Sequence, residues 1–245
     1  MNLPRAILFD LDDTILVAFG PAQSQWRRTI AAFADQLGPI EATVIAAAIE
    51  AASTELWADP ARHKYWRHHT GAARRRIVVT AFAALAAAGH PVPPEAVGDA
   101  LADAYNALHD EELSMFPDAH ETLDRLKELG VKLALITNGA SAPQRAKVVR
   151  FALEHRFDHI QIEGEFGLGK PDREVYTHVL ERLRAAPEDS MMVGDNFLCD
   201  VAGPLALGMR AAWIDPSGTG PIPQPPARTH LTLRSILELP EHLAP

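Results

Sequence analysis

The sequence is poor in the features that define several classes of protein. Its 245 residues include a single cysteine, Cys199, so no disulfide can form within the chain, and this usage fits a reducing compartment. No apolar run approaches the ~20 residues that a membrane span needs, and the first residues show no signal-peptide pattern. We therefore expect a cytoplasmic protein without a membrane partner.

Positive charge is also scarce. Lys and Arg number 23 against 32 Asp and Glu, which gives a formal net charge of −9. An acidic excess argues against a nucleic-acid partner, and it suits a protein that gathers a divalent cation. Apolar residues make up 47% of the chain, so a sizeable core can be buried, in one large domain or in a core with a smaller insert.

Short apolar runs alternate with helical patterns at the start of the chain and over its second half. Uniformly apolar runs are typical of strands buried on both faces of a parallel sheet, and their alternation with helices indicates βαβ units. An α/β fold with a parallel sheet is therefore predicted. The predicted strands are 6–9, 131–136, 159–162, 190–193 and 210–214, and the predicted helices are 118–129, 143–153, 173–183 and 200–207.

The segment 21–113 breaks this alternation. It is rich in alanine, and Gly and Pro residues separate its helix-period segments, which predicts a helical insert after the first strand. The sheet resumes near Phe116. The Gly/Pro-rich stretch 216–226 is predicted to be a loop, and 229–239 a last short element. The predicted helices of the insert are 21–37, 41–57, 72–88 and 94–108.

Two carboxylates follow the first predicted strand, in Asp10-Leu11-Asp12-Asp13-Thr14. Residues i and i+2 of an extended chain face the same side, so Asp10 and Asp12 meet at the carboxyl end of the strand, where open α/β sheets bind ligands. Close carboxylates repel unless a cation or a shared proton is present. A metal would keep Asp10 ionised as a nucleophile, while Asp12 carries a proton for a leaving oxygen. The alternative is a simple turn after the strand.

Polar residues also follow the later strands. The Thr137 hydroxyl and the backbone N–H groups of Asn138 and Gly139 could bind phosphate oxygens. Lys170 precedes a helix that opens at Pro171, and its ammonium could balance the charges of a carboxylate and a phosphate. For each segment alone, a plain turn or a solvated lysine is an open alternative.

Two further acids come from a buried strand and the helix after it. Asp195 follows the apolar run that ends at Gly194, and Asp200 lies at the start of the next predicted helix, where an acid is also a favourable cap. Hard oxygen ligands suit Mg²⁺, which takes few protein carboxylates and keeps several waters. The two acids therefore complete a candidate metal site.

These four segments, in this order, resemble the motifs of the haloacid dehalogenase (HAD) superfamily of hydrolases. The resemblance covers about 1–16 and 115–227. It implies a Rossmann-like parallel sheet core with helices on both faces, residues 1–16 and 115–245. The position of the insert, 17–114, resembles that of an all-helical C1-type cap domain.

The resemblance also implies a role for each matching residue. Asp10 is similar to the nucleophile that becomes an aspartyl-phosphate, and Asp12 to the general acid and base. The phosphate-binding residues would be Thr137, Asn138 and Lys170. The implied Mg²⁺ ligands are Asp10, the backbone carbonyl of Asp12 and Asp195, with Asp200 supporting the metal's waters or the lysine.

The activity implied by the resemblance is a Mg²⁺-dependent phosphatase acting on a small phosphorylated metabolite. Dehalogenases of the family lack an acid at the position of Asp12, which weighs against that chemistry. Phosphonoacetaldehyde hydrolases use a cap lysine, and Lys64 is the only lysine in the predicted cap. Sugar phosphomutases share the paired acids, and a non-catalytic binding protein on the same scaffold is a further alternative. The motifs leave the substrate and the oligomeric state open.

Overall fold

The computed structural model describes residues 3–18, 22–117, 119–216 and 231–243. The chain divides into two compact units, one made of Met1–Val17 with Ser114–Pro245 and the other of Ala18–Leu113. We call them the sheet unit and the helical unit. The helical unit is inserted after the first strands of the sheet unit.

The sheet unit is built on a parallel sheet of six strands, counted over the described ranges. The strands in chain order are β1 (Ala6–Phe9), β2 (Leu16–Val17), β3 (Ser114–Met115), β4 (Lys132–Thr137), β5 (His159–Ile162), β6 (Ser190–Gly194), β7 (Arg210–Ile214) and β8 (Leu231–Leu233). The parallel sheet has the order β5-β4-β1-β6-β7-β8, and β2 pairs with β3 in a separate antiparallel ladder. The first strand of the chain therefore lies near the centre of the sheet, between β4 and β6.

The helices of both units follow in chain order. They are α1 (Ala22–Ala32), α2 (Ala34–Leu37), α3 (Ala42–Ala58), α4 (Pro60–Trp66), α5 (Thr70–Ala87), α6 (Glu95–Glu112), α7 (Ala119–Glu128), α8 (Ser141–Arg150), α9 (Glu163–Phe166), α10 (Arg173–Leu183), α11 (Gly203–Ala206) and α12 (Leu239–Leu243). A π-helical turn, Phe197–Ala202, lies between β6 and α11, and 3₁₀ turns occur at Pro187–Asp189 and Ile236–Glu238. None of the helices among the described residues has both the length and the apolarity that a membrane span requires.

The central strand is apolar along its whole length because helices cover the sheet. All four residues of β1 are buried, as expected for a strand with both faces covered. Ala6 and Leu8 share one apolar cluster with residues of α10. Side chains alternate between the two faces of a strand, and Phe9 meets the ring edge of Phe157, with 6.3 Å between the centroids. The predicted α/β fold with a Rossmann-like parallel core is confirmed.

The helical unit is a bundle in which α3 packs against α1 and α5, and α6 packs against the same two helices. Its helices bury residues at helical spacing, such as Ile45, Ile49 and Leu56 on α3, which is the apolar stripe of an amphipathic helix. The rings of Trp26 on α1 and Tyr105 on α6 stack with 3.8 Å between centroids. The alanine-rich insert is therefore a bundle of helices, as its helical periodicity predicts.

The strand predictions agree with the structure to within one residue at either end. Sequence reasoning missed α4, because its seven residues are too few for an apolar period, and it missed the two-residue strands β2 and β3. The helix predicted over 200–207 begins earlier, as the π-helical turn from Phe197. The predicted loop 216–226 lies outside the described residues except at its first position, and the element predicted over 229–239 corresponds to β8 and the 3₁₀ turn after it.

Candidate active site

Three strand ends bring candidate residues to one edge of the sheet. Asp10 follows β1, Thr137 is the last residue of β4, and Asp195 follows β6. Since β4, β1 and β6 are parallel neighbours, these residues lie at their common carboxyl edge, where α/β sheets bind ligands. The parallel topology thus gathers residues that are far apart in the sequence.

Lys170 links two of the carboxylates. Its Nζ lies 2.7 Å from Oδ1 of Asp10 and 2.7 Å from Oδ1 of Asp200, and its side chain is only 2% exposed. Burial opposes the charge on Lys170, but the two carboxylates outweigh that effect and raise the pKa of the ammonium. Lys170 therefore supplies a permanent positive charge between two buried acids.

Asp200 is held by the π-helical turn that carries it. Its Oδ2 accepts a hydrogen bond from the backbone N–H of Asn196 at 3.0 Å, and the Asn196 side chain accepts one from the N–H of Cys199 at 3.0 Å. With Lys170 on Oδ1, both carboxylate oxygens of Asp200 have a donor. Its side chain is fully buried, so its position is determined by these contacts.

Asp10, Asp195 and Asp200 form an acidic cluster in which one carboxylate oxygen of each lies within 4.8 Å of the others. Burial raises the pKa of Asp10 to about 7, with repulsion from Asp200 adding to the rise and Lys170 opposing it. Burial also raises the pKa of Asp195 to about 8, and repulsion from Asp10 and Asp200 contributes. The cluster therefore disfavours the charged forms of both acids.

The donor set of this cluster fits a divalent cation. One buried ammonium faces three carboxylates, so negative charge is in excess. Among the residues that the structure describes, none donates a hydrogen bond to the Asp195 carboxylate, which leaves its oxygens available as ligands. Carboxylate oxygens are the hard ligands that Mg²⁺ prefers, and a dication would offset the repulsion that raises these pKa values.

Thr137 and Asn138, which end and follow β4, have different hydrogen-bond partners. The Thr137 hydroxyl contacts the Gln144 side chain, with 2.5 Å between Oγ1 and Nε2. The Asn138 side chain pairs with the backbone of Lys170, accepting from its N–H at 2.7 Å and donating to its carbonyl at 2.9 Å. Asn138 thus joins the loop after β4 to the segment that carries the lysine. The prediction that Asn138 binds phosphate stays a prediction. Because the Asn138 side chain is already paired with the Lys170 backbone, its backbone N–H would be the group that donates to the phosphate.

The turn after Asn138 needs a glycine. Gly139 has φ of 121°, a region that side chains with a Cβ avoid, and its N–H donates to Oε2 of Glu163 at 2.8 Å. Glu163 is itself buried. The Thr-Asn-Gly segment is therefore fixed to the end of β5, and the shape of the phosphate-binding candidate depends on this contact.

Asp12 lies at the turn after β1 and contacts a helix. Its carboxylate accepts hydrogen bonds from Lys147 at 2.7 and 2.8 Å and from Gln144 at 3.0 Å. It is not part of the acidic cluster of Asp10, Asp195 and Asp200. The metal contact implied for Asp12 concerns its backbone carbonyl and stays a prediction.

Sequence reasoning missed Glu163, Asn196 and three further polar residues of the site. Gln144 and Lys147 are three positions apart on α8, directly after the Thr-Asn-Gly segment, and this spacing on one helix face is the signal that could have found them. The hydroxyl of Tyr176 on α10 donates to the carbonyl of Cys199 in the turn that carries Asp200. No local pattern marks Tyr176, because its contact depends on the packing of α10 against the sheet.

A comparison with protein families identifies the family of the chain. Residues 4–208 match the model of the haloacid dehalogenase-like hydrolases, and the chain belongs to this family. The resemblance read from the four motifs is thereby confirmed, while the C1 type of the cap stays a prediction. The chain is a hydrolase, and its phosphatase relatives place it with family members that act on phosphate esters.

The curated relatives support the phosphatase class, and the solved structures include both a magnesium-bound hydrolase and a dehalogenase of the family. The chain is 33% identical over 216 residues to a ribulose-1,5-bisphosphate 5-phosphatase of Halopiger xanaduensis, which covers 88% of this chain and 86% of the relative. Among solved structures, the magnesium-bound HAD-hydrolase YfnB of Bacillus subtilis is 25% identical, with a TM-score of 0.70 and full coverage of both chains. A 2-haloacid dehalogenase of Pseudomonas syringae is 26% identical, with a TM-score of 0.61 and 99% coverage of each.

Proposed function

We propose that this protein is a Mg²⁺-dependent phosphatase that hydrolyses a small phosphorylated metabolite through an aspartyl-phosphate on Asp10. The observation that supports this most directly is the contact of Lys170 with both Asp10 and Asp200, next to Asp195. A buried nucleophile candidate, a fixed cation and a further acid at one strand edge are the components that phosphoryl transfer requires.

The reaction on these residues has two steps. Asp10 attacks phosphorus in line with the leaving oxygen, the bond from phosphorus to that oxygen breaks, and Asp12 gives its proton to the departing alcohol. In the second step the Asp12 carboxylate takes a proton from water, whose oxygen attacks phosphorus and restores the Asp10 carboxylate. Lys170 holds Asp10 in position and balances negative charge throughout.

The residues proposed to hold Mg²⁺ are Asp10, Asp195 and the backbone carbonyl of Asp12. When bound, the ion neutralises carboxylate and phosphate charge so that an anionic nucleophile can approach an anionic substrate. Asp200 is proposed to support this set of ligands without binding the ion itself, because its two oxygens already accept hydrogen bonds from Lys170 and Asn196. The magnesium named for the YfnB structure supports the same choice of metal.

The substrate is proposed to be a sugar phosphate or another small phosphate ester. The relative that covers 88% of the chain is named for ribulose 1,5-bisphosphate, which is therefore the first compound to test. We also propose that the helical unit serves as the C1-type cap, because it is inserted directly after the first strands. Predictions of a cytoplasmic location and of no nucleic-acid or membrane partner stay predictions.

A phosphate-release screen tests this proposal. The purified protein is assayed with Mg²⁺ on p-nitrophenyl phosphate, ribulose 1,5-bisphosphate, other sugar phosphates, nucleotides and phosphoglycolate. We expect inorganic phosphate to be released from at least one ester, and no release by Asp10→Asn. A sugar phosphate that is isomerised without release of phosphate would indicate a mutase instead, and no turnover of any ester would contradict the proposal.

Dehalogenation is the second candidate, because a solved 2-haloacid dehalogenase is 26% identical to the chain. Its chemistry uses a carboxylate nucleophile but a halide leaving group, which needs no proton. Asp12, held by two side chains of α8, would then have no partner in the reaction. Halide release from 2-chloropropionate, in the absence of a divalent cation, would favour this candidate over the phosphatase.

A further inference from the structure

The carboxylate of Asp12 accepts hydrogen bonds from two side chains of α8, those of Lys147 and Gln144. Lys147 Nζ lies 2.7 Å from Oδ1 and 2.8 Å from Oδ2, and Gln144 Nε2 lies 3.0 Å from Oδ2. The side chains of Asp12 and Lys147 are each 16% exposed. The ion pair is therefore largely removed from water, and both oxygens of the carboxylate have a defined direction.

Gln144 connects this carboxylate to the loop after β4. Its Nε2 also lies 2.5 Å from Oγ1 of Thr137 and 3.2 Å from the carbonyl oxygen of Asn138. Three oxygens surround one amide nitrogen, and its two protons are shared among them. Gln144 is almost fully buried, so the ends of β1 and β4 are joined through a single side chain.

The two donors come from one face of one helix. Gln144 and Lys147 are three residues apart on α8, which places them on neighbouring turns of the same side. Arg145, on the same helix, makes a different kind of contact, an ion pair with Glu165 in which both side chains are 36% exposed. Only the Gln144–Lys147 face of α8 points to the predicted catalytic residues.

We propose that Gln144 and Lys147 are positioning residues that orient the Asp12 carboxylate for proton transfer to the leaving oxygen. This inference rests on the proposed phosphatase function and deepens it. The ammonium and the amide fix the plane of the carboxylate, and they hold it next to the hydroxyl of Thr137, where the substrate phosphate is proposed to bind. A misplacement of about 1 Å at a reacting centre can cost about 10²-fold in rate.

A purely structural role is the alternative. Partly exposed ion pairs contribute about 0–1 kcal/mol to stability, so Lys147 could simply hold α8 against the turn after β1. The two roles differ in their dependence on the leaving group. A loss of structure slows the reaction of every ester, whereas a misplaced proton donor slows esters of poor leaving groups most, because only those need the proton.

The experiment compares an alkyl phosphate with p-nitrophenyl phosphate, using kcat/KM because it reports the steps up to departure of the alcohol. Lys147→Met should lower kcat/KM for the alkyl ester by up to about 10²-fold and have a much smaller effect on the aryl ester. Asp12→Asn provides the reference for complete loss of the proton donor, on the order of 10²–10⁴-fold on the alkyl ester. Lys147→Arg should recover most of the lost activity.

Two further variants keep the test decisive. Gln144→Leu should shift the ratio of the two kcat/KM values in the same direction, and Arg145→Gln, the matched control on α8, should leave that ratio unchanged. Equal losses on both esters with a lowered melting temperature, or an unchanged ratio in Lys147→Met, would overturn the inference while the phosphatase stands. Failure of the wild-type protein to release phosphate from any ester of the screen with Mg²⁺ would overturn the proposed function itself.

Discussion

Gly194 and Asp200 are so close that the glycine has no room for a side chain. A Cβ built on Gly194 would clash with Cγ and Oδ2 of Asp200. The same carboxylate accepts a hydrogen bond from Lys170 Nζ. The room that Gly194 leaves for Asp200 therefore also determines where the buried lysine is held. Gly194 is therefore part of the site, because only a residue without a side chain leaves room for Asp200.

Gly194→Ala should displace Asp200 and, with it, Lys170. We expect a destabilisation of about 1–3 kcal/mol, as for other overpacked buried sites, and a fall in kcat of about 10²-fold, because small misplacements at a reacting centre are costly. Chemical denaturation and a phosphate-release assay measure the two effects. The matched control is Gly71→Ala on α5, where the new Cβ would meet its nearest atom at 3.8 Å; wild-type activity in Gly194→Ala would contradict this account.

Asp10→Asn should abolish turnover and leave the fold intact. The change removes the nucleophile and one proposed metal ligand while it keeps the volume of the side chain. Lys170 retains its contact with Asp200, so the buried ammonium still has a charged partner. Activity assays and circular dichroism of the purified variant test this expectation. Turnover close to that of the wild type would show that Asp10 is not the nucleophile.

Mg²⁺ should be required for turnover and should stabilise the folded protein. Chelation with EDTA should abolish phosphate release, and added Mg²⁺ should restore it and raise Tm through mass action. Asp195→Asn should weaken the Mg²⁺-dependent rise in Tm more than Asp200→Asn, because the oxygens of Asp200 already have donors in the protein. Asp200→Asn should instead lower Tm without metal, since Lys170 loses a charged partner. The reverse order of the two variants would show that Asp200 binds the ion directly.

The metal-free protein should lose stability as the pH rises. The pKa values of Asp10 and Asp195 are raised from 3.8 to about 7 and about 8, so the folded state binds protons more tightly than the unfolded state. Their contribution to stability is complete below the unfolded value of 3.8 and is lost as the pH rises through about 7 to 8. Denaturant titrations in EDTA from about pH 5 to about pH 9 measure this slope.

Two comparisons isolate the acidic cluster in that experiment. Asp195→Asn should flatten the slope between about pH 5 and about pH 8, since it removes the acid with the higher of the two raised values. The stabilisation by Mg²⁺ should grow over the same interval, because protons and the cation compete for the same carboxylates. A metal-free stability that is constant or increases with pH would contradict the account of these two groups.

Local patterns in the amino-acid sequence are sufficient to predict the architecture of the sheet unit and the identity of its charged groups. Apolar runs such as 6–9 and 190–193 can be stable only when both faces of a strand are covered, and this local pattern is sufficient to predict parallel strands. Asp10, Asp195 and Lys170 stand at the ends of such runs or before helices, so their convergence at one edge follows from the rule for parallel sheets.

The pairing of these groups, in contrast, depends on contacts between elements that are far apart in the sequence. The contacts of Lys147 with Asp12, of Asn138 with the Lys170 backbone and of Gly194 with the Asp200 side chain join residues by packing between elements. The raised pKa of Asp195 likewise depends on burial and on carboxylates that come from other parts of the chain. Periodicity and motif spacing report the environment of a residue along its own element, whereas desolvation and hydrogen-bond partners depend on the elements that pack around it.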